Sequence, residues 1–269
     1  MGGRNPSQEY GKIEIIEKPR GNKYEKIVNF LDSTVCEYAK FNSEFYRTRK
    51  ITDLAFGWGE SQNRSIIWHS IRKSRYRALP FSERPYKLRG KNKRLDYWVL
   101  LNDIKMVLWV EYKHATAFIS RRKRFDTYNV AINSLNGIAT NWENDVKRLR
   151  AMKREGCKDL CFGAPQEGWK VVRMNLLVLP ICRRIKKSKR EKPGKAEKVT
   201  LGHEVFYGWS EPILKEWHEY TEPNFVAAWS LHEDFQQPAP WHDPKDKNTV
   251  WWDTYYGVYF FAWLDFVTE

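Results

Sequence analysis

The chain has 269 residues, with 47 lysines and arginines against 33 aspartates and glutamates, which gives a formal net charge of +14 at pH 7. Aromatic residues make up 15% of it, enough for a large core, so a wholly disordered chain is excluded. It has no run of eighteen apolar residues, which excludes a membrane-spanning helix. The excess of positive charge predicts a polyanionic partner, most often nucleic acid.

The N-terminus and the cysteines indicate the compartment. The first twenty residues are polar and charged, unlike a secretory signal. The four cysteines are scattered, and Cys157 and Cys161 have no second Cys or His pair at zinc spacing. We therefore expect a cytoplasmic protein with reduced thiols, without zinc and without a membrane partner.

Two helices are predicted in the first third of the chain. Apolar residues at helical spacing mark one helix from Asn22 to Lys40 and a second from about Gly57 to Arg77. The first is expected to pack outside the functional core. Pro85 to Arg89 then predicts a first strand, and the turn from Arg89 to Arg94 is dense in positive charge.

Two segments rich in aromatic and β-branched residues predict strands, Arg94–Val99 and Trp109–Lys113. Asp96 lies in the first strand, and Glu111 and Lys113 lie in the second. An unpaired charge inside a sheet is costly, so these charges need compensation. A divalent cation between the carboxylates would supply it, and the lysine would then stabilise the charge of a phosphate.

The connection between these strands predicts their register. Asn102-Asp103 fits a two-residue hairpin turn, which would pair Leu101 with Ile104. Asp96 would then lie opposite Trp109.

The register in turn predicts which side chains share a face. Because side chains alternate along a strand, Trp109, Glu111 and Lys113 point to one side of the sheet. Asp96 is expected on that same side, diagonal to Glu111 and about 7–8 Å away. A slip of one residue would move Asp96 to the other face, so the site depends on a turn of even length.

An aspartate, then a strand and turn, then Glu-x-Lys resembles the signature of the PD-(D/E)xK nuclease superfamily. The matching residues are Asp96, Glu111 and Lys113, with fourteen residues between the two acids. Leu95 stands where the nominal motif has a proline. The resemblance covers roughly Gly59 to Arg184, about half of the chain.

The resemblance implies a restriction-endonuclease-like core and a Mg²⁺-dependent phosphodiesterase, with Mn²⁺ as an alternative metal. Asp96 and Glu111 would bind the metal together with the main-chain carbonyl of Tyr112. Lys113 would position the attacking water or stabilise the transition state, and both roles stay open.

A glutamate from the preceding helix often completes the site in nucleases that this chain resembles. Glu60, in the first turn of the second predicted helix, is the best-placed candidate, and Glu83 is its rival. The alternative role of Glu60 is that of an acid at a helix N-terminus, where it interacts with the helix dipole.

The elements that follow complete the expected order. A long helix is predicted from about Asp126 to Arg154, and an apolar strand from Lys170 to Cys182 beside the strand of Glu111. The order from residue 57 onward is then helix, three strands, helix and strand, which the resemblance requires. Val250 to Val267 predicts one or two further strands, with Gly257 as a bulge.

Three basic segments are candidates to contact a nucleic-acid backbone, and a solvated surface is the alternative for each. They are the turn before Asp96, the run after the second strand, and a loop from Arg183 to Lys198 that is expected to be flexible. The candidate contacts are Lys91, Lys93, Arg94, Arg121, Arg122, Lys123, Arg124, Lys186, Lys187, Lys189 and Arg190.

Together these observations predict an α/β protein with a mixed central sheet flanked by helices. Residues 1–56 would form an N-terminal helical segment, 57–184 the nuclease-like core, 185–200 a basic flexible loop, and 201–269 an aromatic-rich extension packed on the core. The predicted function is a metal-dependent nuclease acting on DNA rather than RNA. The alternatives are a catalytically inactive nucleic-acid-binding module and a partner-binding protein of a phage or defence system. Whether the protein forms a homodimer is left open.

Overall fold

The computed structural model describes residues 10–49, 60–121, 128–130, 133–153, 168–188, 202–242 and 249–267. Its α-helices are α1 (Glu25–Arg49), α2 (Glu60–Lys73), α3 (Asn133–Ala151) and α4 (His203–Thr221). Its strands are β1 (Gly11–Glu17), β2 (Ala78–Leu88), β3 (Lys91–Leu101), β4 (Met106–His114), β5 (Ala117–Arg121), β6 (Tyr128–Val130), β7 (Lys170–Ser188), β8 (Phe225–Leu231), β9 (Ala239–His242) and β10 (Thr249–Phe266).

One mixed sheet contains these strands. Its main path runs in the order β1-β8-β10-β7-β4-β3-β2, and β5, β6 and β9 pair beside this path. β4 runs parallel to β7, whereas β3 and β4 are antiparallel. The predicted mixed sheet is therefore confirmed, as is the strand from Lys170 that was expected beside the strand of Glu111.

Helices cover both faces of the sheet and divide the core into two layers. α1 and α2 pack on one face, against β4 residues such as Leu108 and Val110. α3 and α4 pack on the other face, where Trp109 of β4 joins Trp142 and Trp217. β4 is apolar toward both layers, as expected for a strand in the middle of a covered sheet.

The turn between β3 and β4 is longer than predicted. Leu101 pairs with Met106 rather than with Ile104, and Trp98 rather than Asp96 lies opposite Trp109. A short 3₁₀ helix, Asn102–Ile104, and Lys105 with a left-handed φ of 52° fill the connection. The extra length is two residues, an even number, so the alternation expected along β4 is preserved.

Several boundaries differ from the prediction, and two of them differ because of strand pairing. α3 begins at Asn133 rather than near Asp126, since Tyr128–Val130 forms β6 and pairs with β5. α1 continues well past Lys40, to Arg49. Arg183–Ser188, assigned from composition to a flexible loop, belongs to β7 and pairs with residues 249–254 of β10. The remainder of that predicted loop, from residue 189 to 200, lies outside the described residues.

The two ends of the chain are built into the same sheet. β1, from the predicted helical segment, pairs with β8. β10 lies between β8 and β7, so the C-terminal part contributes central strands instead of packing on a finished core. The register of β10 shifts between Tyr255 and Gly257, where a bulge was expected. Within the described ranges, no helix has the length and apolar character that crossing a membrane requires.

Candidate active site

The candidate site lies where β3 and β4 separate. Their last register pair is Tyr97 with Val110. One residue further along β3, the carboxylate of Asp96 accepts a hydrogen bond from the main-chain N–H of Tyr112, with 2.8 Å between Oδ2 and N. Because a strand N–H points along the sheet toward its neighbour, Asp96 reaches into the gap between the two strands.

The side-chain alternation of β3 breaks at Asp96. Tyr97 packs in the layer of α1 and α2, while Leu95 packs with Trp98 in the layer of α3 and α4. Strict alternation would place Leu95 on the same side as Tyr97. On β2, Glu83 has a φ of 54° and no register partner on β3. The alternation of side chains had predicted that Asp96 shares the face of Glu111. Instead, Asp96 lies in the gap between β3 and β4.

An arginine of α2 joins Asp96 to both rival glutamates. Arg64 lies 2.7 Å from Asp96, and 3.0 Å from each of Glu60 and Glu83. Its main-chain carbonyl also accepts a hydrogen bond from the hydroxyl of Tyr97, over 2.7 Å. Glu60 and Glu83 are therefore both connected to Asp96 through one shared guanidinium.

Glu111 lies on the α3 side of the sheet and is only 2% exposed. It forms an ion pair with Arg148 of α3, which also contacts Asp145 at 3.0 Å. Burial raises the pKa of Glu111 to about 8, Arg148 opposes the shift, and Asp96 and Asp145 reinforce it. The buried surroundings therefore destabilise the charged form of Glu111, even though Arg148 lies beside it.

Lys113 contacts the same helix as Glu111. Its Nζ lies 3.2 Å from Oδ2 of Asp145, and its side chain is 25% exposed. Asp145 thus lies between Lys113 and Arg148 and contacts both. The lysine is held beside Glu111 by a third carboxylate while part of it remains open to solvent.

Two buried side-chain oxygens, on neighbouring residues of β4 and β7, have no hydrogen-bond partner among the described residues. One is Oε1 of Glu111, and the other is Oδ1 of Asn175. Asn175 is the register neighbour of Glu111 on β7, and its amide donates to the main-chain oxygen of Trp142, 3.2 Å away. Buried polar atoms normally find partners, so these two oxygens mark the α3 side of the site as polar and under-satisfied.

Sequence reasoning missed four members of this cluster: Arg64, Asp145, Arg148 and Asn175. Some signals were present. Asn175 interrupts the apolar run of β7, and Asp145 falls on the stripe that also carries Trp142 and Val146. Arg64 is one helical turn after Glu60. None of these signals indicates which strand the side chain will meet.

The residues present can be tested against the divalent metal that the resemblance implies. Mg²⁺ commonly binds proteins through one or two carboxylates, with water completing its shell. Asp96, Glu111 and the carbonyl of Tyr112 supply oxygen donors of that kind, and the unpartnered Oε1 of Glu111 is a free acceptor. Within the described ranges, however, no group of three or more His, Cys, Asp and Glu side chains is arranged to hold a metal. Asp96 and Glu111 therefore offer two carboxylates for such a metal, and the described residues do not form a larger acidic group.

The basic candidates are spread over three regions. Lys91, Lys93 and Arg94 are exposed on β3. The backbone of Arg121 ends β5, and Lys186 and Lys187 lie in β7. The remaining candidates lie outside the described residues, namely Arg122, Lys123, Arg124, Lys189 and Arg190.

Comparison with protein-family models, with curated proteins and with solved structures finds no match to this chain. What the protein does must therefore follow from the chemistry of its own residues.

Proposed function

We propose that the protein is a metal-dependent nuclease that hydrolyses phosphodiester bonds of nucleic acid, with DNA preferred over RNA. One observation supports this above the others. Asp96 hydrogen-bonds the main chain between Glu111 and Lys113, at the end of a strand pair that is flanked by helices on both sides. This contact connects Asp96 to the main chain next to the other two residues of the motif.

Each residue has a role that its surroundings suit. Asp96, Glu111 and the carbonyl of Tyr112 would hold Mg²⁺, with Mn²⁺ as a substitute. A bound divalent ion polarises a phosphate and makes a coordinated water a better nucleophile. Lys113 is partly exposed and cationic, so it would stabilise charge on the phosphate or orient the water.

The two arginines set a condition on this activity. Arg64 and Arg148 occupy one oxygen each of Asp96 and Glu111. Both carboxylates must loosen these ion pairs to bind a cation, and the released guanidiniums are well suited to bidentate contact with a phosphate. We therefore expect weak metal affinity in the absence of nucleic acid.

A second candidate function is a nucleic-acid-binding module without catalysis. The same ion pairs favour it, because Asp96, Glu111 and Lys113 each already have a partner of opposite charge. In that case the cluster would only stabilise the fold, and the basic surface alone would bind nucleic acid.

Cleavage assays separate these two functions. Plasmid, linear duplex, single-stranded DNA and RNA are each incubated with the protein and Mg²⁺, Mn²⁺ or EDTA. The nuclease proposal expects cleavage with a divalent metal, none in EDTA, and loss of cleavage in Asp96→Asn and Glu111→Gln. Glu143→Gln, at an exposed position on α3, is the matched control and should cleave like the wild type. Binding without cleavage under every condition would favour the second function.

A further inference from the structure

β2 and β3 continue past the candidate site as a two-stranded ribbon. β3 pairs with β4 only over residues 97–101, whereas β2 and β3 remain paired from Arg84 with Leu95 to Leu88 with Lys91. We call residues 84–95 the basic ribbon. In the part of the chain that the structure describes, no third strand pairs with it. At about 3.3 Å per residue, each of its strands is roughly 16 Å long.

The charge of the basic ribbon has one sign. It contains no acidic residue, and its six cations are Arg84, Lys87, Arg89, Lys91, Lys93 and Arg94. The last five of these are exposed. Arg94 lies 3.8 Å from Glu83, an acid just outside the ribbon.

The ribbon is anchored and is not a loose loop. Tyr86 and Leu95 are 3% and 0% exposed, and both belong to the core layer of α3 and α4. One side of the ribbon therefore packs on the protein while the cations face solvent. Cations held on a fixed backbone lose less conformational freedom on binding than cations on a flexible segment.

Protection of a sheet edge does not fully explain this charge. β2 is the edge strand, and lysines and prolines on edge strands discourage aggregation. Pro80 and Pro85 already interrupt β2. Over the ribbon β3 also has an open edge, because it pairs with β4 only over residues 97–101. Edge protection needs only isolated lysines or prolines, whereas the ribbon carries six cations and no acid within twelve residues.

The ribbon leads directly into the candidate site. Leu95, its last residue, is followed by Asp96. Arg94 contacts Glu83, Glu83 contacts Arg64, and Arg64 contacts Asp96. A polyanion lying along the ribbon would therefore pass the carboxylates of the site.

We propose that the basic ribbon binds the phosphate backbone of double-stranded DNA and holds the duplex across the candidate site. The second half of this inference rests on the proposed nuclease function. A two-stranded ribbon matches the width of the major groove, about 12 Å, and a duplex presents one charge per roughly 1.7 Å of its axis. Binding of single strands generally uses exposed aromatic rings, and the only aromatic residue of the ribbon, Tyr86, is buried.

The test measures binding by fluorescence anisotropy in EDTA, so that cleavage cannot contribute. The ribbon variant carries Lys87→Gln, Arg89→Gln, Lys91→Gln and Lys93→Gln. The control variant removes four exposed cations from the segment after β1 and from α1, through Lys18→Gln, Arg20→Gln, Lys26→Gln and Lys40→Gln. Circular dichroism and thermal melting establish that both variants are folded.

For the ribbon variant, the slope of log affinity against log salt on duplex DNA should shrink by about 3 to 4, since each lost contact removes about 0.9. The control variant should keep a slope close to that of the wild type. Equal slopes for the two variants would overturn the inference. An equal loss on single-stranded DNA, together with loss of single-strand binding in Phe81→Ala, would overturn the assignment to duplex, because Phe81 is the exposed aromatic residue nearest the ribbon in sequence.

These outcomes are independent of catalysis. Duplex binding that depends on the ribbon, with no cleavage of any substrate, would support the ribbon and reject the nuclease. Metal-dependent cleavage with unchanged duplex affinity in the ribbon variant would support the nuclease and reject the ribbon.

Discussion

The carboxylate of Asp96 accepts a hydrogen bond from the main-chain N–H of Tyr112, with 2.8 Å between Oδ2 and N. A side chain thus takes the place of a strand partner at the end of the β3–β4 pair. Tyr112 lies between Glu111 and Lys113, and its own ring is buried in the layer of α1 and α2. The position of Asp96 relative to the other two motif residues is therefore fixed by a main-chain contact and not only by flexible side chains.

Substitutions of Asp96 should separate its hydrogen bond from its charge. Asp96→Asn keeps an oxygen that accepts the N–H of Tyr112, whereas Asp96→Ala leaves that N–H without its acceptor. We expect Asp96→Ala to lower the free energy of unfolding by about 1–3 kcal/mol, and Asp96→Asn by less. Urea denaturation of both variants in EDTA measures the difference. Equal destabilisation would mean that the ion pair with Arg64, and not the hydrogen bond, gives Asp96 its structural role.

Removal of Arg148 should be among the more damaging changes on α3. At pH 9, above the raised pKa of Glu111, Arg148→Ala leaves this carboxylate, which is 2% exposed, without its ion-pair partner. Loss of one partner of a buried pair costs about 3–5 kcal/mol. Lys147→Ala, one residue earlier and mostly exposed, should change stability by less than about 0.5 kcal/mol.

The double variant Arg148→Ala with Glu111→Gln tests the cause. It should recover much of the lost stability, because no charged carboxylate then remains buried without a partner. A double variant as unstable as Arg148→Ala alone would assign the loss to packing of the arginine stem.

The fold was predictable where apolar pattern alone decides structure. β4 and β7 are nearly continuous apolar runs, and such runs indicate central strands covered on both sides. The strand from Lys170 was accordingly expected beside the strand of Glu111, and the structure shows that the two run parallel. Chain ends were harder, because β1 and β8 meet across more than two hundred residues and no local pattern reports such a partner.

The site was predictable only in part. Glu111 and Lys113 follow regular alternation, and both contact α3. The placement of Asp96 depends on a local irregularity opposite Glu83, which has a positive φ. Glycine or asparagine at that position would have indicated such a conformation in the sequence, but glutamate does not. Arg64 and Arg148 come from two helices on opposite faces of the sheet, so only the tertiary structure brings them to the two acids.

The buried carboxyl of Glu111 should make stability depend on pH. Burial raises its pKa to about 8 against an ordinary value of 4.5, so between these values the native chain holds a proton that the unfolded chain has released. The free energy of unfolding should then fall as pH rises through this interval and level off above it.

Glu111→Gln removes this contribution. As pH increases from 5 to 8, the free energy of unfolding of the variant should rise relative to that of the wild type. The full difference, reached above the raised pKa, is about 1.4 kcal/mol for each unit between the pKa values of Glu111 in the native and unfolded chains. Urea denaturation at pH 5, 6.5, 8 and 9 in EDTA gives the curves, with Glu143→Gln as the control for loss of one carboxylate from α3. Parallel wild-type and Glu111→Gln curves would contradict a raised pKa.

Lys113→Ala is the sharpest test of the role proposed for this lysine. It is one cation among 47 lysines and arginines, so its loss should change the salt slope of DNA binding by no more than about 0.9. A group that stabilises charge only in the transition state contributes about 10²–10³ to kcat, and cleavage should fall by that factor or more.

Asp145 keeps Arg148 as a partner, so the variant should remain folded. Lys147→Ala on α3 is the matched control and should cleave and bind like the wild type. Single-turnover cleavage and anisotropy on the same duplex give both quantities, and a parallel loss of binding and cleavage would make Lys113 an ordinary phosphate contact.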